Sequence, residues 1–215
     1  MSLAGDTETF RQRFFEASGP AIAERAAVAM DAIVQAAPSS AALGVGDPAP
    51  DFTCTDIHGR PMRLAQWLRS SPVVLDFHRG GWCPFCSLEL RAWQARLEQL
   101  RAAGGAFLAI APEAAESAAQ HADDHDLGFP ILVDGDQTIA TRFGLAFELP
   151  AAAREVQTRL GAPLDRLNAD GSWRLPVPAT YIVDTTGTIR WAHVEDDYTI
   201  RAEPDEVIEA LRTLA

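Results

Sequence analysis

Cys83 and Cys86 are separated only by Pro84 and Phe85, a short turn after the run Val73-Val74-Leu75-Asp76-Phe77-His78 and at the start of a helical pattern. Two thiols at this spacing can cycle between dithiol and disulfide, supply half of a zinc site, or lie inert in a core. The position favours redox chemistry. A cysteine at a strand-to-helix junction meets unpaired N–H groups and the positive end of the helix dipole, which hold a thiolate and lower the thiol pKa. A second cysteine three residues on lies one turn along the same helix, where it can attack a mixed disulfide or a sulfenic acid on the first. Pro84 suits the first helical turn, where a missing N–H costs little. Zinc lacks its other half, since no second C-x-x-C is present and Cys54 is far off in the chain.

The elements that must position this pair can be read on either side of it. Residues 73–78 are apolar and β-branched, as in a strand buried on both faces. From 84 to 103, Leu88, Trp93, Leu97 and Leu100 recur at helical spacing, with Gly104-Gly105 as the stop. Strand 106–111, helix 113–125, strand 130–133 and helix 137–143 follow, an alternation that implies βαβ units and a parallel or mixed sheet. Ahead of the pair, 51–54 and 61–63 flank a turn at 56–59 as a β-hairpin, and a short helix fits 64–68. Behind it, a helix at 151–160 and a polar loop through Asn168-Ala169-Asp170-Gly171 read as an insertion at about 148–175. Strands 180–183 and 188–193 around a turn at 184–187 and a helix at 204–214 close the chain. Residues 7–37 are helical with a break near Ser18-Gly19-Pro20, and Phe14, Ile22, Val28, Ile33 and Val34 are the candidate buried positions. The expected organisation is an N-terminal helical extension over 1–43 and one domain over 44–215.

Composition narrows the function classes. A chain of 215 residues, 47% hydrophobic, can bury one sizeable core. A formal net charge of -12 excludes the clustered basic surface that nucleic acid selects. Every basic side chain other than histidine is arginine, so Schiff-base and P-loop lysine chemistry are excluded. Residues 1–13 lack a basic and apolar leader, and no apolar run reaches the roughly 20 residues a membrane span needs. The expectation is a cytoplasmic protein without nucleic-acid or membrane partners.

Asp76-Phe77 followed by Gly81-Trp82-Cys83-Pro84-Phe85-Cys86 resembles the thioredoxin active-site segment, with one extra residue before the tryptophan. The resemblance implies that Asp76 assists proton transfer to the second cysteine; otherwise it is a sheet-edge carboxylate held by water. Val177-Pro178-Ala179-Thr180 is similar to the cis-proline loop that faces the cysteines in that superfamily, with a plain trans proline as the alternative. The lead-in Gly46-Asp47-Pro48-Ala49-Pro50-Asp51-Phe52, the turn at 56–59 and Tyr181-Ile182-Val183-Asp184-Thr185-Thr186-Gly187 resemble the alkyl hydroperoxide reductase and thiol-specific antioxidant (AhpC/TSA) family, and the likeness spans 44–213. It implies an α/β thioredoxin-like fold, a central mixed β-sheet flanked by helices, and a peroxiredoxin-like antioxidant oxidoreductase. No prosthetic cofactor or metal is implied. The partners would be a hydroperoxide, a thioredoxin- or glutathione-type reductant, and a second copy of the chain as a homodimer.

Three positions depart from the family's P-x-x-x-T-x-x-C pattern. With Cys86 in the peroxidatic position, Arg79 stands for the proline, Cys83 for the threonine, and Pro178 falls where an arginine precedes the late strand. Arg79 either restores a guanidinium to the pocket or is a solvated loop residue. Glu89 matches a glutamate common in the family or is a surface helix residue. Trp82 is expected in the pocket wall. Cys83 has the thioredoxin position and Cys86 the peroxiredoxin one, so the first to react stays open. So does the choice between hydroperoxide reduction and exchange with protein disulfides. Cys54 is expected as a small buried residue, and His121 and His125 as solvated.

Overall fold

A β-branched run bounded by helices belongs at the centre of a sheet, and Val73–Phe77 lies there with every residue buried. The computed structural model describes residues 2–214. In chain order it runs α1 (Leu3–Ala17), α2 (Pro20–Ala36), β1 (Thr53–Asp56), β2 (Pro61–Arg63), α3 (Leu64–Trp67), β3 (Val73–Phe77), α4 (Pro84–Ala102), β4 (Ala106–Ala111), α5 (Ala115–Asp124), β5 (Ile131–Val133) and α6 (Thr138–Arg142). It continues with β6 (Ala146–Glu148), α7 (Ala151–Arg159), α8 (Leu164–Leu167), β7 (Arg174–Pro176), β8 (Ala179–Val183), β9 (Ile189–Val194) and α9 (Pro204–Arg212).

One seven-stranded sheet has the order β2-β1-β5-β4-β3-β8-β9. β3, β4 and β5 are parallel because α4 and α5 carry the chain back between them. β8 closes antiparallel on β3 and pairs in a hairpin with β9, and the β1–β2 hairpin joins the other edge through β5. This is the mixed sheet that the sequence implies.

Alternation along the strands divides the core in two. Val73, Leu75 and Phe77 face one side with Ile33, Leu64 and Phe143, while Val74 faces the other with Trp93, Leu100 and Val207. Trp93 is fully buried and lies 4.7 Å, centroid to centroid, from Phe107. Truncating such a side chain to alanine costs about 3–5 kcal/mol. The same alternation turns Asp76 toward α4, and this places a carboxyl beneath the cysteines.

The extension is fastened to the domain at several points. The backbone N–H groups of Leu3 and Ala4 donate to the Glu203 carboxylate at 3.1 and 2.7 Å, so an acid just before α9 satisfies the positive end of α1. α1 packs on α4 and α2 on α7. Ile22 and Val28, expected to be buried, are 50% and 58% exposed. The buried face of α2 is Ala26, Ala29 and Ile33, of which the two alanines let the two helices approach closely. In the segment at 148–175, α7 falls where a helix is expected at 151–160, but the rest is more ordered than a polar loop. The ends of the segment pair as an antiparallel ribbon, β6 with β7, and α8 buries Leu164, a helix too short to show periodicity in sequence.

Candidate active site

The turn that carries the cysteines is built from strand end to helix start. His78 N–H donates to Ile110 O, which extends the β3–β4 pairing by one residue before the chain turns away. Gly80 takes φ +132, and a Cβ on Gly81 would stand 2.3 Å from the His121 ring, so both glycines are needed for the turn to pass between α4 and α5. Gly81 N–H donates to the Glu113 carboxylate at 2.8 Å, and Cys83 N–H to Gly80 O at 3.1 Å. Cys83 is then the N-cap of the 19-residue α4, with Pro84 opening the helix. Both sulfurs are enclosed, with Cys83 2% and Cys86 0% exposed.

Around the sulfurs the fold gathers charges that sequence spacing keeps apart. The Arg201 guanidinium forms an ion pair with Glu89, donates to Cys86 Sγ at 3.4 Å, and is held by the Tyr198 carbonyl at 2.9 Å. Arg79 donates its backbone N–H to Cys86 Sγ at 3.4 Å. Its guanidinium carbon lies 4.2 Å from the Tyr198 ring centroid and 5.2 Å from that of Trp82. Arg79 is therefore not the solvated loop arginine considered above. Glu89 is likewise no surface residue, being 2% exposed. Thr180 Oγ1 donates to Asp76 Oδ1 at 3.2 Å, whereas Asp76 Oδ2 and His78 Nδ1, 3.8 Å apart, have no hydrogen-bond partner among the described residues.

These surroundings set the protonation states. A hydrogen bond from the Cys86 thiol holds Cys83 down to about 5 against the cost of its burial, with the charges of Arg79 and Arg201 assisting. Burial and then the neighbouring Cys83 push Cys86 well above the usual thiol range. The two sulfurs share one proton, and two features assign the charge to Cys83: its place at the helix N-terminus and its opening onto a cavity. Burial and then the charge of Glu89 push Asp76 well above the carboxylate range. Burial lifts Glu89 to about 7, against the pull of Arg201, and lowers His78 to about 3. With Asp76 protonated, two guanidinium groups face the Glu89 carboxylate and one thiolate, so the charges balance.

Cys83, Arg79, Trp82 and Tyr198 line a cavity of about 220 Å³. Cys86 does not reach it. The expectation for Pro178 needs correction. No cis peptide bond occurs among the described residues, and Pro178 is a buried trans proline. Ala179, the next residue, pairs with Phe77 and Val194, and Val177 N–H is spent on Leu145 O, so this backbone is committed to the sheets. Cys54 lies in β1, three strands from β3, its thiol pushed up to about 11 by burial. His121 is half-buried against Gly81 and 4.6 Å from the His125 ring, rather than solvated.

Arg201 and Tyr198 escaped sequence reasoning. They sit in a polar stretch after β9 with no periodicity, and their only signal is an arginine and an aromatic before the proline that opens α9. Arg201 brings a guanidinium to the sulfurs from a different segment than the one occupied by Pro178.

Residues 45–192 match the model of the AhpC/TSA family. A Haemophilus influenzae protein described as peroxiredoxin bcp is 26% identical over 172 residues, 80% of this chain and 98% of its own length. The thiol-disulfide oxidoreductase ResA of Geobacillus kaustophilus is 28% identical over 149 residues, 69% of this chain and 68% of its own. Among solved structures, peroxidoxin BcpB of Mycobacterium tuberculosis superposes with a TM-score of 0.63 at 22% identity, covering 80% of this chain and 99% of that one. That likeness speaks for the fold.

Proposed function

This chain belongs to the AhpC/TSA family of thioredoxin-fold oxidoreductases, and from that premise we propose that it is a hydroperoxide reductase in which Cys83 attacks and Cys86 resolves. The observation that carries the reading is that Cys83, the sulfur with the lowered pKa, opens onto a cavity. The Cys83 thiolate attacks the terminal oxygen of R–O–OH. An S–O bond forms as the O–O bond breaks, and the alkoxide takes a proton from solvent to leave as R–OH. Cys86 then attacks the sulfenic sulfur. An S–S bond forms, and the displaced hydroxide leaves as water with the proton that Cys86 gives up. Asp76, within electrostatic reach of Cys86 and kept protonated by burial and the charge of Glu89, is placed to give its proton to the departing hydroxide and to take the one that Cys86 releases.

Two electrons from an external thiol restore the pair. Enclosure of both sulfurs favours a small thiol such as glutathione over a protein such as thioredoxin, and a reducing cytoplasm would keep the pair ready. The C-x-x-C spacing and the ResA relative favour a second reading, exchange with protein disulfides, which requires a polypeptide to reach a sulfur 2% exposed. Steady-state consumption of hydroperoxide with glutathione as donor, beside reduction of insulin disulfides, separates the two. Peroxide turnover without insulin reduction supports the first reading, and the reverse supports the second.

A further inference from the structure

The cavity at Cys83 is larger and more apolar than hydrogen peroxide needs. Its volume of about 220 Å³ has room for about seven water-sized groups. Its walls are Phe10 and Phe14 of α1, Met30 and Ile33 of α2, Val156 of α7 and Leu160 just after it. Helices α1 and α2 lie within residues 1–44, outside the span that matches the family model. The wall is also fixed in place. Phe10 stands edge-on to Phe85 at 5.4 Å, Phe85 edge-on to Tyr198 at 5.7 Å, and Glu203 anchors the start of α1. One end of the cavity therefore holds a thiol flanked by Arg79 and Tyr198, and the remainder is mostly hydrocarbon, with Arg11 and Gln157 as the other polar side chains of the lining.

Resting on the peroxidase reading, we infer that the N-terminal helices and α7 form a specificity site for the hydrocarbon group of a bulky organic hydroperoxide of aralkyl size, such as cumene hydroperoxide. A thiol at the polar end selects for the O–OH group, and an apolar chamber gains affinity from each carbon removed from water. The chemistry is the step given above with R an apolar group: the O–OH oxygen goes to sulfur, and R–OH is left in the chamber to be released. Hydrogen peroxide gains nothing from those walls, so discrimination arises in residues that do not touch the reacting atoms.

The test compares kcat/KM for cumene hydroperoxide and hydrogen peroxide, with a small thiol as donor, in the full chain and in the variants Met30→Trp and Leu160→Trp, which fill the chamber. Leu160 is 48% exposed, so its replacement is tolerated by the fold. The inference expects the wild-type ratio to favour cumene hydroperoxide by at least about tenfold, and each variant to lower the ratio by about tenfold. It also expects 2-phenyl-2-propanol, the alcohol product, to quench Trp82 fluorescence in Cys83→Ser and not in Cys83→Ser/Met30→Trp. A ratio unmoved by the variants while hydrogen peroxide is consumed overturns the specificity site alone. Consumption of neither hydroperoxide overturns the reading on which it rests.

Discussion

Arg201 and Glu89 form an ion pair with both side chains sealed from solvent, 2% and 3% exposed, although 112 residues separate them. The two partners are not equivalent. Glu89, with a pKa of about 7, can shed its charge by taking a proton, but a guanidinium cannot deprotonate. Glu89→Leu is therefore expected to cost more stability than Arg201→Met, about 5 against about 3 kcal/mol. Urea unfolding of the reduced variants measures both, and the opposite order would remove the argument from charge.

Cys83→Ser should leave no reaction with hydroperoxide. Cys86→Ser should react once, hold a Cys83 sulfenic acid that dimedone captures, and fail to turn over. Cys54→Ser should keep wild-type turnover, because its thiol is raised to about 11 and lies three strands away. Turnover in both of the first two variants is incompatible with a paired mechanism.

The thiolate of Cys83 sets a pH dependence. Alkylation by iodoacetamide follows the thiolate fraction, so its rate should rise through about pH 5 and be level by pH 7. In Arg201→Met the midpoint should move upward, since a cation that favours the thiolate is gone. Because the folded value lies below that of a free thiol, the thiolate contributes stability above the free value, and that contribution is lost as pH falls through about 5. A midpoint near 8.5 in the wild type would mean that Cys83 is an ordinary thiol.

Asp76→Asn keeps the shape of the side chain and the partner for Thr180 but cannot pass a proton. The first oxidation of Cys83 should be nearly unchanged, and formation of the disulfide should slow by roughly 10²-fold or more. Rapid-quench mass spectrometry separates the two steps. Equal slowing of both would make Asp76 a structural group.

The parts of this molecule that local rules govern were legible in sequence. β3 is an apolar run broken only by Asp76, α4 carries a helical repeat stopped by Gly104, and the cysteine pair stands at the start of that helix. What was hidden depends on distant neighbours. Arg79 looks like a loop arginine until Tyr198, far along the chain, supplies a ring to stack on. Arg201 is buried only because Glu89 awaits it. Ile22 and Val28 are apolar yet exposed because α7 packs on the alanine face of α2, a choice no pattern within α2 reveals. Pro178 resembled a cis-proline loop, whereas its place between two committed backbone pairings is a tertiary fact.

In the proposed mechanism Cys83 and Cys86 form one redox unit facing a hydroperoxide. Reduced protein mixed rapidly with one equivalent of cumene hydroperoxide, followed by Trp82 fluorescence and then by peptide mapping, tests it most directly. A fast change complete at one equivalent and a Cys83–Cys86 disulfide are expected, with Cys54 still a thiol. Oxidation no faster than that of a free thiolate, without that disulfide, would contradict it.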